Sequence, residues 1–295
     1  MQGRWGFIRS RGLRYSARVS HPTDRAYIVH ITDSHIGPTR DFELHGYASY
    51  VCARRLVREI NELPVRPDAV VHTGDVVADP SPEAFRLAAE VFGELNAPVY
   101  YVAGNHDSRD GIRSHLSMGA HEPLGPGVAG GGTDDPLTYA FEVKGTRCLV
   151  LDAVGPPEIE PRGHLSEEQL HIVHREVASA ASHGGPLAVF VHYPVWPLDS
   201  RWFDKNMLIE NGAGLHDALL PARARLRGVF HGHVHMPLAC HRDGILYSSV
   251  ASTVLNFGGW PDDDRPRFLD TDPGFAVLRL LPDQTLVYHH SVPRR

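Results

Sequence analysis

The 295-residue sequence predicts an α/β fold, on two observations. Short β-rich runs alternate with longer amphipathic stretches, the pattern of strands packed against helices. Nearly every predicted strand also ends in a turn carrying Asp, Asn, Gly or His. Composition supports a packed core, with 42% hydrophobic and 22% charged residues.

The predicted strands are Ala26 to Ile31, Asp68 to Thr73, Pro98 to Val102, Arg147 to Leu151, Leu187 to Val191, Arg227 to Phe230 and Ile245 to Val250. Between them, Ser81-Pro82 opens a helix with Phe85, Ala88, Phe92 and Leu95 at helical spacing, because Ser caps orphan amides and Pro is tolerated in the first turn. Ser166 and Gln169 form a capping box ahead of Leu170, Val173 and Val177. A third helix is expected from about Asp41 to Leu63, with Leu56, Ile60 and Leu63 on one face. Met118 to Pro136, with six glycines and three prolines, reads as a loop, and so does the Asp- and Pro-rich Gly258 to Gly274. No repeat is evident, so one domain over 26–295 is expected, preceded by a solvated extension over 1–25. That extension is Arg-rich and acid-poor up to Asp24, a composition faintly like a transit segment, and no apolar signal region follows it.

A net charge of −6 without a basic run argues against a nucleic-acid partner, which would need clustered cations to neutralise phosphates. No apolar run is long enough to span a membrane. Three scattered cysteines, Cys52, Cys148 and Cys240, fit neither a disulfide framework nor a cysteine zinc site, which points to a reducing compartment and a cytoplasmic location. What stands out is 20 histidines against two lysines, since neutral imidazole is the commonest metal ligand.

Five strand ends carry the chemistry. Ile31 is followed by Thr32-Asp33-Ser34-His35, Thr73 by Gly74-Asp75, and Val102 by Ala103-Gly104-Asn105-His106-Asp107. Val191 leads into His192-Tyr193-Pro194, and Phe230 into His231-Gly232-His233-Val234-His235. Ligands of open α/β sheets bind at such carboxyl ends. Carboxylates, an amide and imidazoles with no thiolate suit Mn, Fe or Zn. Asp33, His35, Asp75, Asn105, His192, His233 and His235 suffice for two ions if one carboxylate is shared. Two such ions can activate a shared water and neutralise charge on a phosphoryl oxygen.

The ordered blocks Asp-x-His, Gly-Asp, Gly-Asn-His-Asp, a single His and Gly-His-x-His resemble the calcineurin-like metallophosphoesterases over roughly Ile28 to Val250. The resemblance implies a four-layer αββα sandwich, two mixed β-sheets flanked by helices, with the metals at the carboxyl ends of strands. It implies Asp33, His35 and His235 on one metal, Asn105, His192 and His233 on the other, and Asp75 on both. His106 matches the family histidine that assists the reaction without binding metal, and Asp107 is expected to orient its imidazole. The expected nucleophile is a hydroxide shared by the ions. Within the family, the Asn-His-Asp-Ser-Arg run and the Gly-His-Val-His block look most like cyclic-nucleotide and glycerophosphodiester phosphodiesterases. Tyr193 stands where those enzymes often carry a second His, which changes the surroundings of His192.

The expected partner is therefore a small phosphate ester, with a diester favoured and a homo-oligomer left open. The alternatives on the same centre are a phosphomonoesterase or a nucleoside-diphosphate pyrophosphatase. A nuclease or a metal-free scaffold fits less well, because no basic groove is apparent and no ligand is missing. Arg109, Arg113 and Arg201 are close enough in sequence to supply cations to a monoester. Trp196 and Trp202 are expected either in the core or as a cap over the metals. His30 and His72 read as packing residues, His171 and His174 as a solvated helix face, and His231 as a candidate neighbour of His233.

Overall fold

The structure, a computed structural model, describes residues 25–125 and 135–294. The predicted extension up to Asp24 and residues 126–134 of the predicted glycine-rich loop lie outside the described residues. The first half of the chain runs β1 Ala26–Ile31, β2 Glu43–Leu44, β3 Tyr47–Ala48, α1 Ser49–Asn61, β4 Ala69–His72, α2 Pro82–Phe92, β5 Val99–Tyr101 and α3 Arg109–His115. It continues with β6 Glu122–Pro123, β7 Tyr139–Val143, β8 Thr146–Leu151, α4 Glu167–His183 and β9 Leu187–Val191. The remainder is α5 Arg201–Asn206, α6 Gly212–Leu219, β10 Leu226–His231, β11 Leu238–Arg242, β12 Ile245–Ser249, β13 Asn256–Gly258, β14 Arg267–Leu269, β15 Gly274–Leu280 and β16 Thr285–Ser291.

Two mixed sheets form, ordered β16-β15-β1-β4-β5 and β11-β12-β10-β9-β8-β7-β6. In the first, β1, β4 and β5 are parallel, with Val29 opposite Val70 and Val71 opposite Tyr100. In the second, β8, β9, β10 and β12 are parallel, with Leu149 opposite Val189 and Val229 opposite Tyr247. The alternation of strand side chains divides the second sheet between two cores. Cys148, Val150, Ala188, Phe190 and Phe230 face the first sheet, in the core that also holds Leu56, Ile60, Phe85 and Phe92 of α1 and α2. Leu149, Leu151, Val189, Val191 and Val229 face away, against Val173, Val177, Leu215 and Leu219 of α4 and α6. The result is the expected helix–sheet–sheet–helix order of layers.

Local signals behaved as expected where caps were legible. Ser81 Oγ accepts the Ala84 N–H, and Ser166 and Gln169 exchange both capping-box hydrogen bonds. The helix expected from Asp41 instead starts at Ser49. Residues 41–48 contain a hairpin whose two turn residues, His45 and Gly46, have φ of 49° and 83°. Two successive positive φ values define the tight turn that matches strand twist, and His-Gly is not the usual Asn-Gly signal for it. The Gly258 to Gly274 stretch is likewise not a plain loop, since β14 within it pairs with β13. Strand β15 was not foreseen because it lies between β1 and β16, buried on both faces, and so lacks alternation.

Candidate metal centre

The carboxyl ends of β1, β4 and β5 in one sheet meet those of β9 and β10 in the other, bringing the five turns to one pocket. Asp33, His35, Asp75, His192, His233 and His235 are all buried. They converge as two trios, Asp33 with His35 and His235, and Asp75 with His192 and His233, each with donor atoms within 4.8 Å of one another. Asn105 lines the same pocket.

Each carboxylate is held by one oxygen and presents the other. Asp33 Oδ2 accepts from Thr32 Oγ1 at 2.7 Å and from the His233 amide at 3.0 Å. Its Oδ1 lies 3.2 Å from His235 Nε2 and 3.9 Å from His35 Nε2. Asp75 Oδ1 accepts the His106 amide at 2.9 Å. Its Oδ2 faces His35 Nε2 at 3.8 Å and His192 Nε2 at 3.3 Å, between the two trios.

Backbone carbonyls fix the imidazoles by their other nitrogens. His192 Nδ1 donates to Thr73 O at 2.6 Å, His235 Nδ1 to Leu255 O at 3.1 Å, and His233 Nε2 to Pro161 O at 2.9 Å. Such an outer contact sets the tautomer, so the inward nitrogen carries the lone pair. His35 and His235 turn their Nε2 atoms toward one point, 3.1 Å apart. Asp33 Oδ1, Asn105 Oδ1 and His192 Nε2 are buried and accept no hydrogen bond from the described residues. Buried lone pairs are costly without a partner, and cations are the partners this donor set fits.

Electrostatics agree. Burial lowers His35 and His233 to about 3, so both are neutral at physiological pH. Burial opposes ionisation of Asp33, but His235 and then His192 outweigh it and hold the carboxyl below its usual range. His192 is pushed up to about 9, because Asp75 outweighs the burial that favours its neutral form. A proton therefore competes with a cation for its Nε2.

The backbone stores strain here. Asp33, His35, Asp75, His233 and His235 are all non-glycine residues with φ between 41° and 70°. Left-handed backbone concentrates where a site over-determines it. Gly104 and Gly232 let the chain approach closely, since a Cβ on the first would strike Asp75 Oδ1 and one on the second Thr32 Oγ1.

Two expectations need correcting. Asp107 does not orient His106. Its Oδ1 accepts the Val76 and Val77 amides at 3.0 and 3.2 Å, and its Oδ2 the Gly104 amide at 3.0 Å. His106 Nδ1 instead donates to Ala78 O at 2.9 Å. The reason is geometric, because three amides of two metal-bearing turns converge on the carboxylate before any side chain can. Burial, with Asp75 adding to it, pushes Asp107 up to about 7 while those amides oppose the rise. Asp107→Ala is expected to orphan the three amides and cost about 2–4 kcal/mol, with weakened metal retention. Thermal melting and metal content check this; a melt unchanged from wild type would contradict the tie.

The tryptophans also part company. Trp202 lines the metal pocket, whereas Trp196 lies outside it, donating to His216 Nδ1 at 3.2 Å beneath the Arg242 guanidinium. Phe203 is core. Tyr193 is buried against both the His192 and His233 rings, at 4.8 and 4.7 Å, so it packs against two candidate ligands. His30 and His72 are packed within strands and bonded to Thr73 and Ser34, while His171 and His174 are exposed. His231 is buried with Nδ1 against Gly232 O. The sequence offered no signal for His45, Leu44, Leu255, Phe257 or Pro161, which complete the pocket from distant segments.

Comparison with known proteins agrees with the geometry. The profile of the "Calcineurin-like phosphoesterase" family matches residues 26–237. The glycerophosphodiester phosphodiesterase GpdQ of Enterobacter lignolyticus is 28% identical over 90% of this chain and 91% of its own. The 3′,5′-cyclic adenosine monophosphate phosphodiesterase CpdA of Pseudomonas aeruginosa is 29% identical over 88% of this chain and 87% of its own. Among solved structures, a dimetal phosphatase from Danio rerio shares the fold at a TM-score of 0.61 and 16% identity, covering 91% of this chain and 99% of that one. With five ordered blocks gathered at one sheet junction and a family profile spanning most of the sequence, the chain belongs to the calcineurin-like phosphoesterase family, as a metal-dependent phosphoesterase.

Proposed function

We propose that this phosphoesterase is a phosphodiesterase holding two Mn, Fe or Zn ions, with Asp33, His35 and His235 on one, Asn105, His192 and His233 on the other, and Asp75 on both. When bound, the pair would polarise the phosphoryl group and supply an activated water. The chain's own part is to orient the ester, exclude bulk water and deliver a proton. His106, with Nδ1 tied to Ala78 O, keeps Nε2 available for the departing oxygen. Burial works against its charged form, but Asp75 and then Ala78 O outweigh it and hold the imidazole above its usual value, so it can donate that proton.

The observation that favours a diester is the pocket's charge. Its volume is about 290 Å³, and among its described lining residues there is neither Lys nor Arg. Arg109 is bound to buried Asp152 at 2.7 Å, and Arg201 to Asp264 at 3.2 Å. A monoester carries one more negative charge, and a cation ~4 Å away would be worth about 4 kcal/mol near a protein surface. Leu44, Trp202, Met207, Leu255 and Phe257 offer apolar contact instead. The relatives named for diester substrates support the same reading.

The test is metal analysis, then kinetics on bis(p-nitrophenyl) phosphate, p-nitrophenyl phosphate and 2′,3′- and 3′,5′-cyclic nucleotides. Two metal equivalents and kcat/KM at least about tenfold higher for diesters are expected; a monoester preference overturns the reading. Free Cys52, Cys148 and Cys240 support a reducing, cytoplasmic location, and no described helix is long and apolar enough to cross a membrane. We propose that the chain's partner is a small phosphate ester and not a nucleic acid.

A further inference from the structure

The pocket has an outer wall that the metal chemistry does not require. His45 sits at the tip of the β2–β3 hairpin and lines the pocket together with His35, Asp75 and His106. Its ring lies against Phe268 of β14, with centroids 4.3 Å apart. Phe268 meets Phe257 edge-on at 5.3 Å, and Phe257 stacks flat on His235 at 4.5 Å and 7°. A continuous run of rings thus leads from the candidate ligand His235 to the surface, where Phe268 is 56% exposed.

This hairpin is anchored. Tyr47 Oη donates to Asp270 Oδ1 at 3.1 Å, and the Arg294 guanidinium covers the Tyr47 ring at 3.8 Å. The same guanidinium bonds Asp270 at 3.1 Å and the Val254 carbonyl at 3.0 Å. His45 is therefore held over the pocket by the Tyr47 anchor and by Phe268 against its ring, and it remains exposed at the mouth.

We propose that His45 is a specificity-determining residue. Backed by Phe268, it forms the outer wall on which the planar part of the leaving alcohol lies, so that a nucleoside-type alcohol is preferred to a glycerol-type one. The proposal rests on the phosphodiesterase reading and adds the choice of leaving group. Its basis is that a base presents a π-face to any ring, whereas glycerol needs hydrogen-bonding partners that the apolar walls Leu44, Met207 and Leu255 do not offer. A ring held in position by its neighbours also loses little conformational freedom on binding.

The experiment uses the metal-loaded full chain with two cyclic diesters, 2′,3′-cyclic AMP and glycerol 1,2-cyclic phosphate, whose leaving alcohols belong to a nucleoside and to glycerol, and reads the ratio of their kcat/KM values. His45→Leu keeps an apolar side chain but removes the plane, and His45→Phe keeps the plane without the imidazole nitrogens. We expect the ratio to fall about tenfold in His45→Leu, mostly through KM for the nucleotide, and to return toward wild type in His45→Phe. Inhibition by adenosine monophosphate is expected to weaken in parallel in the first variant alone. A ratio unchanged in His45→Leu, or lowered equally in both variants, overturns the role of His45 while leaving the phosphodiesterase intact. A wild-type protein that holds two metals and cleaves neither diester overturns both.

Discussion

Asp75→Ala is expected to empty both metal positions and abolish hydrolysis. Among the described residues, Asp75 Oδ2 is the carboxylate oxygen placed near histidines of both trios, 3.3 Å from His192 and 3.8 Å from His35. Without it His192 and His233 face one another with no anion between them, and each cation position loses charge neutralisation at once. The Asp75→Ala variant also releases the His106 amide, so the Gly104–Asp107 turn loosens along with the site. Asp75→Asn keeps an acceptor for that amide and separates the two effects: the turn should survive and the metals should not. Elemental analysis and circular dichroism on both variants check this. Two tightly held metals in Asp75→Ala would refute the shared-ligand assignment.

For His106→Ala we expect both metals to remain and kcat to fall by about 10²–10⁴ with alkyl leaving groups. The loss should be least with p-nitrophenolate, which departs without a proton. The geometry behind this is the exposed ring at the pocket mouth, its Nδ1 bound to Ala78 O at 2.9 Å and its centroid 4.9 Å from that of the His35 ring, nearly perpendicular to it. His106 is close enough to His35 and Asp75 to join a metal group. Metal content therefore discriminates: one equivalent lost from His106→Ala makes it a ligand, and two retained with a leaving-group-dependent rate loss make it the proton donor. Because Asp107 ties three amides rather than this imidazole, Asp107→Asn should leave the leaving-group dependence of the rate unchanged.

Much of the site is legible in the sequence because its determinants are local. Each candidate ligand stands within a few residues of a strand's carboxyl end, and a parallel α/β arrangement sends those ends to one edge. Asp33, His35, Asp75, His192, His233 and His235 are accordingly the residues whose donor atoms gather into the two trios. The helix caps at Ser81 and Ser166 were readable for the same reason, since a cap bonds an amide three residues away. Strand β15 was not, because burial on both of its faces erased the alternation that marks a strand.

The residues alone carry the fold class and the donor types that gather at the sheet edge, while the layer order was what the family resemblance implied. Tertiary structure decided how those donors are aimed and what surrounds them. Asp107 belongs to the Gly104, Val76 and Val77 amides and not to His106, because a carboxylate in a crowded turn bonds whichever donors the opposing loop presents. Trp202 reaches the pocket and Trp196, six positions earlier, does not, since one lies in the first turn of α5 and the other packs by His216. His45 lies over the metal pocket only because Tyr47, Asp270 and Arg294 anchor its hairpin from segments more than 200 residues apart. Contacts of that separation depend on how two sheets and two hairpins approach one another in space, a relation that no spacing along the chain records.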